Sequence, residues 1–199
     1  LAMERVGFEV RDVESLREVQ LQVPLRVFTA DGKLIGIFGE KRRIPVSLED
    51  LPDCLAQAFI ASEDARFYEH PGVDYQGLTR AAWSLLTTGE KSIGGSTITQ
   101  QLARNFFLTT EKTFTRKIKE IFLALRIERE LEKNQILELY MNKIFLGYRA
   151  YGVGAAAEVY YGKSPDQLSL AQCAMIAALP KAPSRINPIT SPERAVERR

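Results

Sequence analysis

Histidine is nearly missing from this chain: His70 is the only one in 199 residues. With one imidazole, a Ser–His or Cys–His relay is hard to build, and a zinc site lacks ligands. Cysteine is almost as scarce. Cys54 and Cys173 each sit among apolar residues at helical spacing, in CLAQAFIA and AQCAMIAALP. They read as two buried free thiols rather than a disulfide or a metal pair, and they fix no redox compartment. No run of about 18 or more apolar residues exists, so no stretch here reads as a membrane span. Low-complexity tracts and internal repeats are also absent. Nor does charge of one sign dominate: 27 basic against 25 acidic residues leave a net charge of +2. That balance gives no case for nucleic acid as a partner, so the placement of the cations matters more than their number.

What is present is the composition of a folded globular protein, 45% hydrophobic and 26% charged. One domain, or one domain with appendages, is the natural division. Residues 1–45 read as an extended or β lead-in, with a hairpin signal at Asp31-Gly32 and an ambiguous stretch from Val6 to Glu18. Residues 46–190 form the main domain and 191–199 the start of a linker. LAMERVGF at one end and SPERAVERR at the other both read as cut points in a longer protein.

From Leu51 the pattern turns helical. Asp50 or Leu51 caps a helix with Pro52 in its first turn and Leu51, Leu55, Ala58, Phe59 and Ser62 on one face. A second helix spans Asp74, its cap, to Thr88, with Gly89 as its stop. Its Leu78, Ala82, Trp83, Leu85 and Leu86 form a broad apolar surface, which reads as a core face. Gly94-Gly95 makes a turn, and Thr97 with Gln100 matches a capping box. A long helix runs from Thr113 to Lys133 with Ile118, Phe122 and Leu125 on its apolar stripe. Asn134 caps a short helix. Two more helices end at Gly162 and before Pro180.

Three stretches carry chemistry. SEDARFYEHPG, residues 62–72, places Glu63 after apolar Phe59, Ile60 and Ala61, where partial desolvation favours proton transfer by its carboxyl. Adjacent Asp64 points elsewhere on the helix and reads as a structural anion, a candidate partner for an arginine. His70, before a Pro–Gly turn, reads as a packed tie. GGSTITQQLARN crowds Ser96, Thr97, Thr99, Gln100 and Gln101 into one turn, more polar groups than capping needs, and suits a polar ligand at a helix N-terminus. In RKIKE, Arg116 and Lys117 are four and three residues from Glu120 and neighbour it on the helix surface. With Lys119, Arg104 and Lys112 they make a cationic zone, which reads either as a solvated ion-paired face or as a phosphate or diphosphate site. Two separated glutamates beside such a zone are consistent with carboxylate chemistry at a glycosidic centre, by transfer or by hydrolysis.

Taken in order, SEDARFYEHPG, GGSTITQQLARN, RKIKE, ILELYMN, GAAAEVYYGK and LSLAQCAMIAALPKAPSRINP resemble the motifs of the family 51 peptidoglycan glycosyltransferases, as found in class A penicillin-binding proteins of the Gram-negative type. The resemblance covers roughly residues 45–190. It implies a mainly α, lysozyme-like domain with a small membrane-associated jaw lobe and a short β or extended N-terminal segment. The implied reaction polymerises lipid II into β-1,4 glycan with inversion and releases undecaprenyl pyrophosphate. By the family pattern Glu63 is the general base and Glu120 the second essential glutamate on the donor side. Ser96, Thr97, Gln100, Gln101, Arg104, Lys112, Arg116, Lys117 and Lys119 contact the substrate, and Asp64, Phe67, His70 and Gly72 serve architecture. Arg104 stands where many members have lysine. No cofactor is certain and no protein metal site is expected, with a divalent cation, Mg or Mn, left open near Glu120. The implied partners are lipid II, the growing glycan strand, the inner membrane at its periplasmic face, a C-terminal transpeptidase domain and an unidentified regulator.

Overall fold

The computed structural model describes residues 13, 16, 21–39, 41–89, 95–108 and 113–199. In chain order the elements are β1 (Leu25–Phe28), β2 (Leu34–Phe38), β3 (Arg42–Arg43), α1 (Asp53–Glu63), α2 (Tyr75–Thr88), α3 (Ile98–Phe107) and α4 (Phe114–Glu130). They continue with α5 (Lys133–Lys143), β4 (Ala150–Tyr151), α6 (Val153–Tyr161), α7 (Leu170–Ala178) and α8 (Pro192–Arg198). The expected mainly α class is what the structure has. The chain divides into two compact units: unit one comprises Leu1–Gln20 and Arg66–Ile136, unit two Leu21–Ala65 and Leu137–Arg199.

Unit two begins with the predicted hairpin. β1 and β2 pair antiparallel with Leu25 opposite Phe38, and Gly32 takes the left-handed φ of 81° that the turn requires. β3 and β4 add a parallel two-residue ladder, Arg42 with Ala150 and Arg43 with Tyr151. A run of two residues shows no periodicity, so no pattern marks this ladder in advance. A 3-10 turn at Leu48–Asp50 leaves Leu51 extended and moves the start of α1 to Asp53, capped by Pro52. α1 then packs on α7, burying Leu55, Phe59, Cys173 and Ile176.

That packing corrects the cysteine reading. Cys54 on α1 and Cys173 on α7 are not free thiols; they form a disulfide, with Cα atoms 6.1 Å apart and a sequence separation of 119. Helical spacing shows which face of a helix is buried but not which other helix it meets. The ILELYMN stretch has an equally non-local job. Asn142 Nδ2 donates to the Val46 carbonyl at 2.7 Å and its Oδ1 accepts from the Val46 amide at 2.9 Å. One turn earlier, Glu138 Oε2 accepts from the Leu48 amide at 2.7 Å. The helix thereby holds the segment that leads into α1.

Tyr160, near the end of α6, donates its hydroxyl to the Leu146 carbonyl at 2.7 Å. Burial, then the neighbouring Tyr148 and Tyr161, push its pKa up to about 12. The folded state therefore holds this proton more tightly than the unfolded state, and the linked stability is complete below pH 10. It is lost as pH rises from about 10 through about 12. The expected loss is about 1–2 kcal/mol after allowing for solvent screening of a half-buried ring. Denaturant midpoints between pH 9 and 12 check this, and Tyr160→Phe should flatten that part of the curve.

In unit one, Val13 and Leu16 are buried; the rest of the Val6–Glu18 stretch lies outside the described residues, as does Gly94. α2 has the predicted limits: Asp74 Oδ1 accepts from the Gly77 amide at 2.7 Å, and Gly89 follows with φ 69°. α3 opens with the predicted capping box between Thr97 and Gln100. α4 starts on Thr113, whose hydroxyl accepts from the Arg116 amide at 3.1 Å. It ends at Glu130, three residues early, because Leu131 is extended, and α5 begins at Lys133 rather than after an Asn134 cap.

The predicted apolar stripe of α4 is also corrected. Ile118 and Phe122 are exposed, while Glu120, Leu123, Ala124 and Ile127 form the buried face, against which α3 packs. Both stripes satisfy helical periodicity, and only the position of α3 decides between them. On α2, Trp83 is 71% and Leu86 82% exposed, so the core reading fails for these two. The Ala82 and Leu85 side chains lie outside the described set.

Candidate active site

In unit two, Glu63 is the final residue of α1, half-buried. Buried Asp64 follows as the C-cap, with φ −160° and ψ 73°, so the helix stops between the two carboxylates. Ser62 ties this end of the helix down by donating to the Ala177 carbonyl at 3.1 Å. Arg66, the arginine nearest Asp64 in sequence, is engaged with Asp74 and Gln76.

In unit one the remainder of the first motif folds back on itself. Phe67 is fully buried, with its ring edge-on to Tyr68 and His70. His70 Nδ1 accepts from the Gly72 amide at 3.2 Å, the packed tie expected of it. Gly72 has φ +89°, and a Cβ there would come within 2.9 Å of the Ala124 carbonyl oxygen. Only glycine fits that turn against α4.

α3 and α4 assemble the polar cluster. Glu120 is 1% exposed and pairs with Arg116 one turn back and with Lys117 Nζ at 3.0 Å. Lys117 Nζ also donates to Ser96 Oγ at 2.9 Å and to Gln100 Oε1 at 3.2 Å. Burial, then the charges of Arg104 and Arg116, hold this ammonium below the ordinary lysine value. Two cations thus pair with one buried carboxylate, and the charge of Arg104 is felt at Lys117. Thr97 Oγ1 donates to the Gly72 carbonyl at 2.6 Å, and Thr99 Oγ1 to Glu128 at 2.6 Å. Internal wiring therefore accounts for much of the crowded hydroxyl turn. Gln101 is buried, and Arg104 and Lys119 are half-buried. Lys112 lies outside the described residues. The structure thus brings Ser96, Gln100, Lys117, Arg116 and Glu120 together, with Arg104 near enough to repel Lys117.

A family model described as transglycosylase matches residues 31–199. The chain belongs to the transglycosylase family. It is 61% identical over 191 residues to penicillin-binding protein 1A of Escherichia coli (strain K12), a match covering 96% of this chain and 22% of that protein. Penicillin-binding protein 1A of Vibrio cholerae serotype O1 is 61% identical over 194 residues, covering 98% of this chain and 24% of that one. A crystal structure of penicillin-binding protein 1A from Haemophilus influenzae matches with 38% identity and a TM-score of 0.47, covering 90% of this chain and 17% of that one. This transglycosylase domain spans about a quarter of the length of the curated relatives it matches.

The surroundings of Glu120 do not fit a divalent cation. Two basic side chains already occupy its carboxylate, and among the described residues no group of three His, Cys, Asp or Glu is placed to hold a metal. Sequence reasoning missed Thr99, Glu128 and Lys133 as parts of the support. The signal for Thr99 was its place in the over-polar turn; Glu128 and Lys133, five residues apart, are not at the three- or four-residue spacing that would mark them as a helical pair.

Proposed function

We propose that this transglycosylase domain polymerises lipid II into β-1,4 glycan by direct displacement at the donor's anomeric carbon, with undecaprenyl diphosphate leaving. The observation that carries this reading is the pairing of Arg116 and Lys117 with buried Glu120, with the charge of Arg104 felt at Lys117. A departing diphosphate needs positive charge more than a proton, and cations set in advance stabilise it as the bond breaks. Glu120 holds two of them in place, while Ser96 and Gln100 orient the Lys117 ammonium. Glu63 would take the proton from the acceptor's 4-hydroxyl as that oxygen attacks from the opposite face, which inverts the centre. A glycan hydrolase shares the carboxylate chemistry but has no diphosphate to neutralise. Fluorescent lipid II should therefore become polymer on a gel; shortening of finished glycan in place of polymer would overturn the reading.

We also infer that unit one meets the lipid surface. Among the described residues no helix is long and apolar enough to cross a membrane, yet α2 exposes Trp83 and Leu86. α4 exposes Phe114, at 94%, with Ile118 and Phe122 at helical spacing. Apolar faces of this kind suit the headgroup–acyl boundary, where a polyprenyl substrate resides. Trp83→Ser with Leu86→Ser should weaken binding to anionic vesicles by about tenfold or more, since each residue would forfeit about 1.5–3 kcal/mol of apolar burial. Flotation assays check it, with the unfolding midpoint as control. Placement on the periplasmic side of the inner membrane, and a transpeptidase domain in the complete protein, are the settings this function proposes.

A further inference from the structure

Behind the polar cluster lies a second network that the proposed chemistry does not use. Glu128 stands on α4 eight residues after Glu120, about 12 Å along the axis. Its side chain is 8% exposed. One oxygen, Oε1, accepts from Thr99 Oγ1 at 2.6 Å and from Lys133 Nζ at 2.8 Å. Lys133 Nζ in turn donates to the His70 carbonyl at 2.7 Å and lies 4.5 Å over the centre of the Phe67 ring. Gly72 approaches so closely that a Cβ would come within 2.9 Å of Glu128 Cγ, and its carbonyl accepts from Thr97 Oγ1 at 2.6 Å. One carboxylate thus joins three chain segments: the 67–72 turn, the first turn of α3, and α4. A solvated ion pair contributes little to stability and needs none of this. A buried carboxylate shared between a hydroxyl and an ammonium fixes register, because neither partner can move without leaving charge unmatched.

We propose that Glu128, acting through Lys133 and Thr99, is a positioning residue: it locks the His70–Gly72 turn and the first turn of α3 onto α4, and so sets where Lys117 and Glu120 stand for the displacement step. The route is continuous. Thr99 and Gln100 are neighbours at the start of α3, and Gln100 Oε1 receives the Lys117 ammonium that also pairs with Glu120. A slip of α3 along α4 would pull Ser96 and Gln100 away from Lys117. Misplacing a catalytic cation by about 1 Å can cost a hundredfold in rate. Binding of the long substrate draws on many other contacts, so the defect should appear in kcat rather than in KM.

This inference rests on the glycosyl-transfer reading, and the test separates the two. Polymerisation of lipid II by the 199-residue chain is measured per folded molecule for Glu128→Gln, Lys133→Met, Lys133→Arg and Thr99→Val. Glu128→Gln and Lys133→Met should each lower kcat about 10- to 100-fold with KM within about twofold, and Lys133→Arg should recover most of the rate. Hydrogen exchange at the Gly72 and Gln100 amides should quicken about tenfold or more in Glu128→Gln as the two turns loosen. If either of the first two fails to fold, Thr99→Val, which removes one hydroxyl, carries the comparison with the same kcat-selective loss. Wild-type kcat in folded variants, activity loss that only tracks the folded fraction, or a rise in KM alone would overturn the proposal. If the wild-type chain makes no polymer, the transfer reading falls, and unchanged exchange at Gly72 and Gln100 would still overturn the positioning claim.

Discussion

Glu63→Gln should stop polymer formation, with turnover falling about a thousandfold or more, within the range for loss of a general base. The substitution keeps shape and hydrogen-bonding capacity and removes only the ability to take a proton. α1 should be unaffected, since its hold on the fold comes from Leu55 and Phe59 in the core and from Ser62 on the Ala177 carbonyl. The unfolding midpoint should therefore stay near wild type, and lipid II affinity should change by less than about threefold, because a base that acts in the transition state contributes little to ground-state binding. Glu63→Asp makes a finer test: the carboxylate survives but retracts by one methylene, and misplacement on that scale can cost about a hundredfold. Radiolabelled lipid II with single-turnover sampling measures both. Wild-type turnover in Glu63→Gln would remove Glu63 from the chemistry, whatever the family pattern implies.

The second large effect belongs to Glu120→Gln. This carboxylate is 1% exposed and matched by Arg116 and Lys117, so neutralising it leaves two cations facing each other with Arg104 close by. Breaking a buried pair from one side costs about 3–5 kcal/mol; Lys117 retains some solvent, which places the expected loss of stability near the lower figure. Activity should fall about a hundredfold or more, because the Lys117 ammonium loses the partner that holds it beside Ser96 and Gln100. Lys117→Met should be less harmful to stability, since it also removes a desolvated charge, but similarly harmful to turnover. In the double variant the activity losses should fall well short of additive, with a coupling of about 1–3 kcal/mol. Urea titration and initial rates on the four proteins of the cycle supply the numbers. Full additivity would mean that the two residues act independently and that the cluster is not one unit.

How much of this was legible in the sequence depended on distance along the chain. Thr97 with Gln100, Asp74 with Gly77, and Arg116 and Lys117 with Glu120 are all three- or four-residue relations, and the helix itself enforces them. Left-handed Gly32, Gly89 and Gly162 ended elements where the pattern placed them. Contacts between distant segments were not legible. The Cys54–Cys173 disulfide, the hold of Asn142 on Val46, and the meeting of Thr99, Glu128 and Lys133 depend on which faces pack together. The predicted Ile118, Phe122 and Leu125 stripe misled for a related reason. It is as periodic as the buried Leu123, Ala124 and Ile127 face, and hydrophobicity alone marks it for the core. Family resemblance supplied roles for Glu63 and Glu120 but gave no sign of Glu128.

The most direct measurement uses lipid II labelled in both the sugar and the diphosphate, following linkage and leaving group in one sample. The account predicts one undecaprenyl diphosphate released for each new glycosidic bond, every bond β-configured, and both signals lost together in Glu63→Gln. Diphosphate released without matching glycan bonds, or bonds that retain the donor's configuration, would contradict it.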